Sequence, residues 1–389
     1  MKKTIKFFTL IAFAALLPFL SCCDDDDFNT RSGGGSSEGG IFKTISHDDP
    51  VKVAPYLYEM TVKDYVFEPT ALQVLGQYFR FGCASTRQGN YYGRNFDFLY
   101  NEWPEFIIHT EKTDKRFASV AVCHMMGVND GLINMKYMPD LMFHLLEHCT
   151  MDGINENGVG VNVNIVPTFE PENEGTNPGK EKLYSGIIPR FILDNAKSAK
   201  HAIELLKERN ITGTPGIDVH NTSFHFMIVD DKDTYVVEFH GNKMVVTETD
   251  LMTNFYIDDF IERGEIADNA MGVERYNILR ENAAKGNTLE GMKEIMQLVN
   301  FKYTYDLNAV PLRKSDMSLS GVVNWRTPDD EVRSIMSERL ADFEFKRNAG
   351  LKCWHTVHTS VYDIKNCTLN VCVQDDAEHW YTFGVNPNR

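Results

Sequence analysis

The stretch from Phe81 to Phe98, FGCASTRQGNYYGRNFDF, puts a cysteine directly behind a glycine, in two short runs joined by a tight polar turn. A thiol is a strong nucleophile only as thiolate, and an intrinsic pKa of about 8.5 leaves a few per cent ionised at neutral pH. It needs a base. A cut between Gly82 and Cys83 would give Cys83 a free α-amino group, whose intrinsic pKa of about 7.7 to 8.0 suits proton transfer near pH 7. Nucleophile and base then sit on one residue. Gly82 fits the position before the cut, because a missing side chain lets the thiol reach the preceding carbonyl. At the far end of the hairpin stand Arg94, whose charge would lower the thiol pKa, and Asp97, which would accept a hydrogen bond from the α-ammonium. A spacing of three sends their side chains to opposite faces of a regular strand. A bend or bulge at the strand end is the expected device for turning both inward.

Other patterns offer other chemistry. HLLEH, His144 to His148, matches the HxxEH arrangement of a zinc hydrolase, which needs a well-formed helix and a third ligand further on. His355 and His358 of HTVH lie in strand-like sequence, where a spacing of three points the rings apart. Neither GxGxxG nor GxxxxGK[ST] occurs, so a phosphate-cradling loop has no support. Of eight cysteines, two belong to the N-terminal signal junction, leaving Cys123, Cys149, Cys353, Cys367 and Cys372 besides Cys83. Five cannot all pair, and no zinc-ribbon spacing appears. One bridge, from Cys353 to Cys367 or Cys372, is compatible with an oxidising compartment.

These residues need a frame. Alternation predicts strands at Cys83–Arg87, Tyr91–Leu99, Glu105–His109, Phe117–Cys123 and Val159–Val166. Helices follow in EKLYSGIIPRFILDNA and SAKHAIELLKERN, the second with Ser198 as N-cap. A second strand set, TSFHFMIVD, TYVVEFH, KMVVTET and LMTNF, leads to helices near Gly272–Ala284 and Leu289–Asn300, then to strands TVHTSVYDI, CTLNVCVQ and WYTFGV. Segregated strand and helix blocks predict an α+β protein of layered antiparallel sheets with helices outside. Residues 41–82 carry mixed helical patterning and look able to fold only against something else.

The chain has 389 residues, is 43% apolar, and carries a net charge of −16, which leaves no basic stripe for a nucleic acid. Its start, MKK before the apolar FFTLIAFAALLPFL and then SCC, reads as a lipoprotein-type signal over residues 1–22, with Cys22 or Cys23 acylated. Residues 23–40, acidic and then Gly/Ser-rich, read as a flexible linker. The acidic run after the cysteine looks like the export tag of Bacteroidetes surface lipoproteins. The expected location is the outer membrane, facing periplasm or exterior and held by the lipid alone. Residues 41–82 form a prosegment whose loss would leave a single domain over 83–389.

A cysteine shortly before GRNFDF, then TMDGINENGVGVNVNIVP, LMTNF and VERYNILR in this order, resembles the linear amide C–N hydrolases: the choloylglycine hydrolase, penicillin V acylase and acid-ceramidase-like family of N-terminal nucleophile enzymes. The resemblance runs from Cys83 to the C-terminus. It implies a four-layer αββα sandwich of two antiparallel sheets and no cofactor. The implied partner is a small N-acyl amide, and nothing in it opposes a homo-oligomer. It makes Cys83 the nucleophile, Arg94 and Asp97 its thiol and amine partners, and Asn254 an oxyanion contact. Arg275 is placed close to the nucleophile, and Asn164 is offered as a further oxyanion donor, although the ungapped register falls on Ile165. The distance of 11 from Cys83 to Arg94 is several residues shorter than in most relatives. A prosegment of this length matches the relatives that cut themselves. The implied reaction runs through a thioester, with bile salts, N-acyl amines, N-acyl amino acids and penicillin V as candidate substrate classes. Methionines and aromatics after the first hairpin favour a hydrophobic acyl part. Rival readings are the zinc hydrolase, a non-catalytic surface-binding lipoprotein, and acyl transfer in place of hydrolysis.

Overall fold

The computed structural model describes residues 46–70, 83–98, 105–124, 146–167, 175–213, 222–263, 272–303, 317–319, 354–373 and 378–386. The signal, linker, Gly82, His144 and much of the methionine-rich stretch after the first hairpin lie outside them. Strands β1 (Ser46–His47), β2 (Val51–Ala54) and β3 (Leu57–Asp64) open the chain, and β4 (Ala84–Gln88) and β5 (Tyr91–Phe98) form the hairpin behind Cys83. Next come β6 (Glu105–Thr110), β7 (Ser119–His124), β8 (Thr150–Asn155), β9 (Gly160–Pro167) and the short β10 (Lys182–Tyr184). Helices α1 (Ile188–Asn195) and α2 (Ala199–Lys207) precede β11 (Asn210–Thr212), β12 (Thr222–Val229), β13 (Thr234–His240), β14 (Lys243–Glu248) and β15 (Leu251–Met252). Helices α3 (Ile257–Arg263), α4 (Val273–Asn282) and α5 (Leu289–Leu298) lead to β16 (Phe301–Tyr303), β17 (Met317–Leu319), β18 (Trp354–Asp363), β19 (Thr368–Val373) and β20 (Tyr381–Gly384).

Two sheets carry the fold. The first runs β1-β3-β6-β7-β8-β9-β12-β13-β14, with β2 on β3; the second runs β15-β4-β5-β18-β16-β17, with β19 and β20 extending from β18. Every pairing in both is antiparallel except β3 on β6. Helices α1 and α2 cover the outer face of the first sheet, α4 and α5 cover the second, and the sheets pack on each other. This is the layered α+β arrangement expected from the strand and helix blocks and the αββα order implied by the resemblance, with each apolar face buried against a neighbouring layer. Strands β6 and β7 are buried on both faces throughout, as a central position demands. Gly93 of β5 is a point of close approach, because a Cβ there would lie 2.5 Å from Met296 Cγ of α5.

The elements follow local chemistry closely. Ser198 caps α2, its hydroxyl accepting from the His201 N–H at 3.1 Å, and Thr288 does the same for α5. The first expected helix is shorter than its apolar run, since Lys182–Tyr184 pairs with β11 as a strand. Helix α3 was not anticipated; the buried Glu238 carboxylate accepts from its first N–H groups, at Ile257 and Asp258, and so builds a helix start from outside the local sequence.

Residues 46–70 form strands packed on the rest of the domain, as expected of a segment able to fold only against something else; residues 71–82 lie outside the described residues. Leu57, Met60, Val62 and Tyr65 are buried in the domain's core. The Tyr65 hydroxyl donates to Asp194, while Arg116 pairs with Asp64, donates to the Tyr65 carbonyl at 2.9 Å and stacks 3.9 Å over its ring. Glu68 N–H donates to His148 Nε2 at 3.0 Å. Beneath them Arg190 holds Asp194 at 2.9 Å and Ser119 Oγ at 2.7 Å. Strand β3 pairs antiparallel with β1 and, across the short Pro55–Tyr56 turn, with β2; its parallel pairing with β6 is the one that no local turn announces.

Candidate active site

Cys83 sits immediately before β4, buried, at the end of the hairpin. Its backbone N–H donates to Asn254 Oδ1 at 2.8 Å, and Arg94 Nη2 lies 3.8 Å from its sulfur. The tight turn pairs Ala84 with Asn95 and Ser85 with Arg94, so the strand end carrying the thiol lies beside the end carrying Arg94 and Asp97.

The spacing of three behaves as period two dictates. Tyr92, Arg94 and Phe96 face the first sheet, and the Arg94 guanidinium donates to Asp152 Oδ2 at 2.6 Å and to the Val163 carbonyl at 2.9 Å. Asn95 and Asp97 face the helical layer: Asn95 bonds the Met296 carbonyl of α5, and Asp97 pairs with Arg275 of α4. The expected bulge exists, but in β18, between Thr356 and His358, opposite Phe96 and Asp97. It does not turn Arg94 and Asp97 to one face; it aims Thr356, whose hydroxyl donates to Asp97 Oδ1 at 2.6 Å. Cys83 reaches both because it lies past the strand end, between the two faces.

Asn254, just after β15, holds the chain at two points, accepting from Cys83 N–H and donating from Nδ2 to the Ile165 carbonyl at 2.7 Å. Asn164 is placed one step back. Its Nδ2 donates to the Thr253 carbonyl at 3.2 Å and its Oδ1 accepts from Asn162 at 2.8 Å. Each bond from an amide Nδ2 uses one of its two protons. Five of the sequence-selected residues, Cys83, Arg94, Asp97, Asn254 and Arg275, thus converge, and Asn164 joins through Thr253.

Burial pushes the Cys83 thiol up and Asp97 adds to this, while Arg94 and Arg275 pull it down; the balance is upward. Charge from Arg94 alone therefore does not make a thiolate in the uncut chain. Burial also raises the Asp97 carboxyl, against the pull of Arg275. A new ammonium at Cys83 would oppose both effects, as a cation favours thiolate and carboxylate.

Sequence reasoning missed the residues behind Arg94. Asp152 of β8 accepts from Arg94, from His358 at 2.9 Å and from the Tyr362 hydroxyl. Glu105 of β6 meets His124 at 2.7 Å and His358 at 3.2 Å. The Arg94 guanidinium also stacks 4.6 Å over the Phe96 ring. Asp152 stands in the quoted TMDGINENG, and the period-two alternation of His358 with Ser360 and Tyr362 was the available signal that it faces inward.

Of the HxxEH pattern, His144 lies outside the described residues. Glu147 and His148 occupy a three-residue 3-10 turn that runs straight into β8, and His148 Nε2 accepts the Glu68 bond. Among the described residues no group of three or more His, Cys, Asp or Glu side chains is placed to hold a metal ion. Cys353, one half of the expected disulfide, lies outside the described residues, and Cys367 is a free thiol.

A hydrolase acting on the C–N bond of linear amides is the class that this thiol-centred site and layered fold define. The family model of the linear amide C–N hydrolases, choloylglycine hydrolase family, matches residues 82–294, and the chain belongs to that family. This sets aside the non-catalytic reading. Among solved structures, the chain is similar to a mutant of the conjugated bile acid hydrolase from Clostridium perfringens, at 17% identity over 78% of this chain and 92% of that one, with a TM-score of 0.42. It is also similar to the penicillin V acylase from Agrobacterium tumefaciens, at 14% identity over 78% and 85% of the chains, with a TM-score of 0.42. Comparison with curated protein sequences finds no match.

Proposed function

We propose that this chain is a self-processing cysteine hydrolase of N-acyl amides with a hydrophobic acyl part, and that Cys83 is its nucleophile once it becomes the N-terminus. The observation that carries the reading is the convergence on Cys83 of Asn254 at its backbone N–H, Arg94 at its sulfur and the Asp97–Arg275 pair beside both. Attack of the thiolate on the amide carbonyl forms the carbon–sulfur bond. The amine leaves with a proton from the Cys83 ammonium, and water activated by the same amine then cleaves the thioester. Asn254, whose Nδ2 has one proton beyond its bond to the Ile165 carbonyl while its Oδ1 faces the Cys83 nitrogen, would donate to the tetrahedral oxyanion, with Asn164 next in line; each lost donor should cost roughly 2.7 to 4 kcal/mol of barrier.

A cut before Cys83 leaves β3 paired to β6. The part of the prosegment that includes it therefore stays with the enzyme after maturation. Export as a lipid-anchored protein is the further proposal made by the N-terminal sequence. Among the described residues no helix is long and apolar enough to cross a membrane.

Intact-mass measurement on incubated protein should find a fragment beginning at Cys83, absent from Cys83→Ala. The matured protein should hydrolyse members of a panel of conjugated bile salts, N-acyl amino acids, N-acyl ethanolamines and penicillin V. Iodoacetamide should abolish that activity and a chelator should not. Full activity without any cut refutes the self-processing step, and activity that survives Cys83→Ala refutes the nucleophile.

A further inference from the structure

The charge behind Arg94 does not end at Asp152. Asp152 Oδ2 takes two donors, Arg94 Nη1 at 2.6 Å and His358 Nε2 at 2.9 Å, and the other ring nitrogen of His358 lies 3.2 Å from Glu105 Oε2. All four side chains are buried. Nε2 bonds Asp152, while the Nδ1 approach to Glu105 is an ion-pair contact without hydrogen-bond geometry, so it is the charge of two carboxylates flanking the ring that favours imidazolium. The 3.2 Å approach of Arg94 Nη1 to His358 Nε2 is then two donors meeting at one shared oxygen, not a bond between them.

We propose that His358 is a positioning residue, a buried imidazolium between Asp152 and Glu105 that balances the second carboxylate and so leaves the Arg94 charge to the Cys83 thiol. This rests on the reading of Cys83 as nucleophile. A count of charges carries it. Counting Arg94, His358, Asp152 and Glu105, with His124 as a further partner of Glu105, a charged His358 gives two cations for two carboxylates, and a thiolate 3.8 Å from Arg94 Nη2 is the next anion that the guanidinium meets. With a neutral side chain at 358, one guanidinium faces two buried carboxylates and the thiolate would be a third anion. An unmatched buried charge is strongly disfavoured.

The groups facing His358 agree with this arrangement. Strand β8 presents Asp152 and β6 presents Glu105; β7 presents His124, reached through Glu105. Strand β5 presents Arg94 and the Phe96 ring, whose centroid is 5.2 Å away. On its own strand Tyr362 donates to Asp152. Burial alone favours neutral imidazole, but Asp152 and Glu105 outweigh it and raise the His358 pKa. His358 and Arg94 overcome burial to hold the Asp152 carboxyl at about 2, and His124 followed by His358 does so for Glu105.

The test reads the thiol itself. Full-length protein, matured, is alkylated with iodoacetamide from acid to alkaline pH, and modification of Cys83 is followed by peptide mass spectrometry. His358→Gln is expected to raise the inflection by about one unit and slow alkylation near neutral pH about tenfold. Under saturating amide, kcat should fall with KM little changed. Adding Glu105→Gln removes the unmatched carboxylate and should recover most of the alkylation rate. An unchanged inflection in His358→Gln, or a double variant slower than the single, overturns the proposal. Ring-nitrogen NMR of histidine-labelled wild-type protein should show a buried imidazolium persisting well above pH 7. Its absence overturns the proposal even where His358→Gln does not fold. Because alkylation passes through no substrate, a protein alkylated as expected but inactive on every amide counts against the proposed hydrolysis alone.

Discussion

Two buried charge clusters lie on opposite faces of the first sheet, and they are built from the same parts. Between the sheets, Arg94, Asp152, His358 and Glu105 are joined by short contacts with a tyrosine hydroxyl on one carboxylate. On the outer face, under α1, Arg190 pairs with Asp194, which again accepts from a tyrosine hydroxyl, and Arg116 holds the carbonyl and ring of that tyrosine, Tyr65. The first ends at a thiol; the second ends at the backbone of the N-terminal strands. The difference teaches that burial of a charge network does not by itself mark a reactive centre. What distinguishes the proposed reactive centre is a thiol at its edge, with a guanidinium nitrogen turned toward it.

The sharpest separation of the clusters comes from Cys83→Ser, expected to lose all measurable amide hydrolysis while unfolding stability changes by less than about 1 kcal/mol, checked by urea denaturation. Arg94→Ala and Arg190→Ala each strand a buried carboxylate and should each destabilise by about 3 to 5 kcal/mol. Arg94→Lys should slow Cys83 alkylation, whereas Arg190→Lys should leave it unchanged, so equal effects on the thiol would erase the distinction. Tyr65→Phe removes one donor from the buried Asp194 and is expected to cost about 1 to 3 kcal/mol with kcat intact. The smallest effect is one of pH. His358, with its pKa raised on folding, adds stability in full below the unfolded value of about 6.5 and loses it as pH rises through the folded value. Asp152 and Glu105, held at about 2, add stability above the ordinary carboxylate range and lose it as pH falls toward that value. Denaturation across pH should therefore show an alkaline decline in the wild type that His358→Gln lacks.

Much of this was legible before any coordinates. The hairpin behind Cys83, the strand blocks and the Ser198 cap follow from alternation and local hydrogen bonding, which act over a few residues. The parity of Arg94 and Asp97 was also readable, and it held; the bulge imagined in their own strand lies in β18, whose pairing with β5 spans more than 250 residues and leaves no local trace. Asp152 and His358 were hidden for a related reason. Each is an ordinary polar residue on its own strand, and only the stacking of two sheets brings them within 2.9 Å. Residues 46–70 were harder to read because β3, although joined to β2 by a short turn, is seated in the sheet by a parallel pairing with β6, a partner distant in sequence.

The seating of β3 bears on how the molecule would melt after the proposed cut. A single chain unfolds with a midpoint that ignores dilution; two chains held by strand pairing and a few buried contacts do not, because separation gains translational entropy that grows as the solution thins. A precursor locked by Cys83→Ala and a matured sample should thus melt alike when concentrated and diverge on dilution, the matured form falling first.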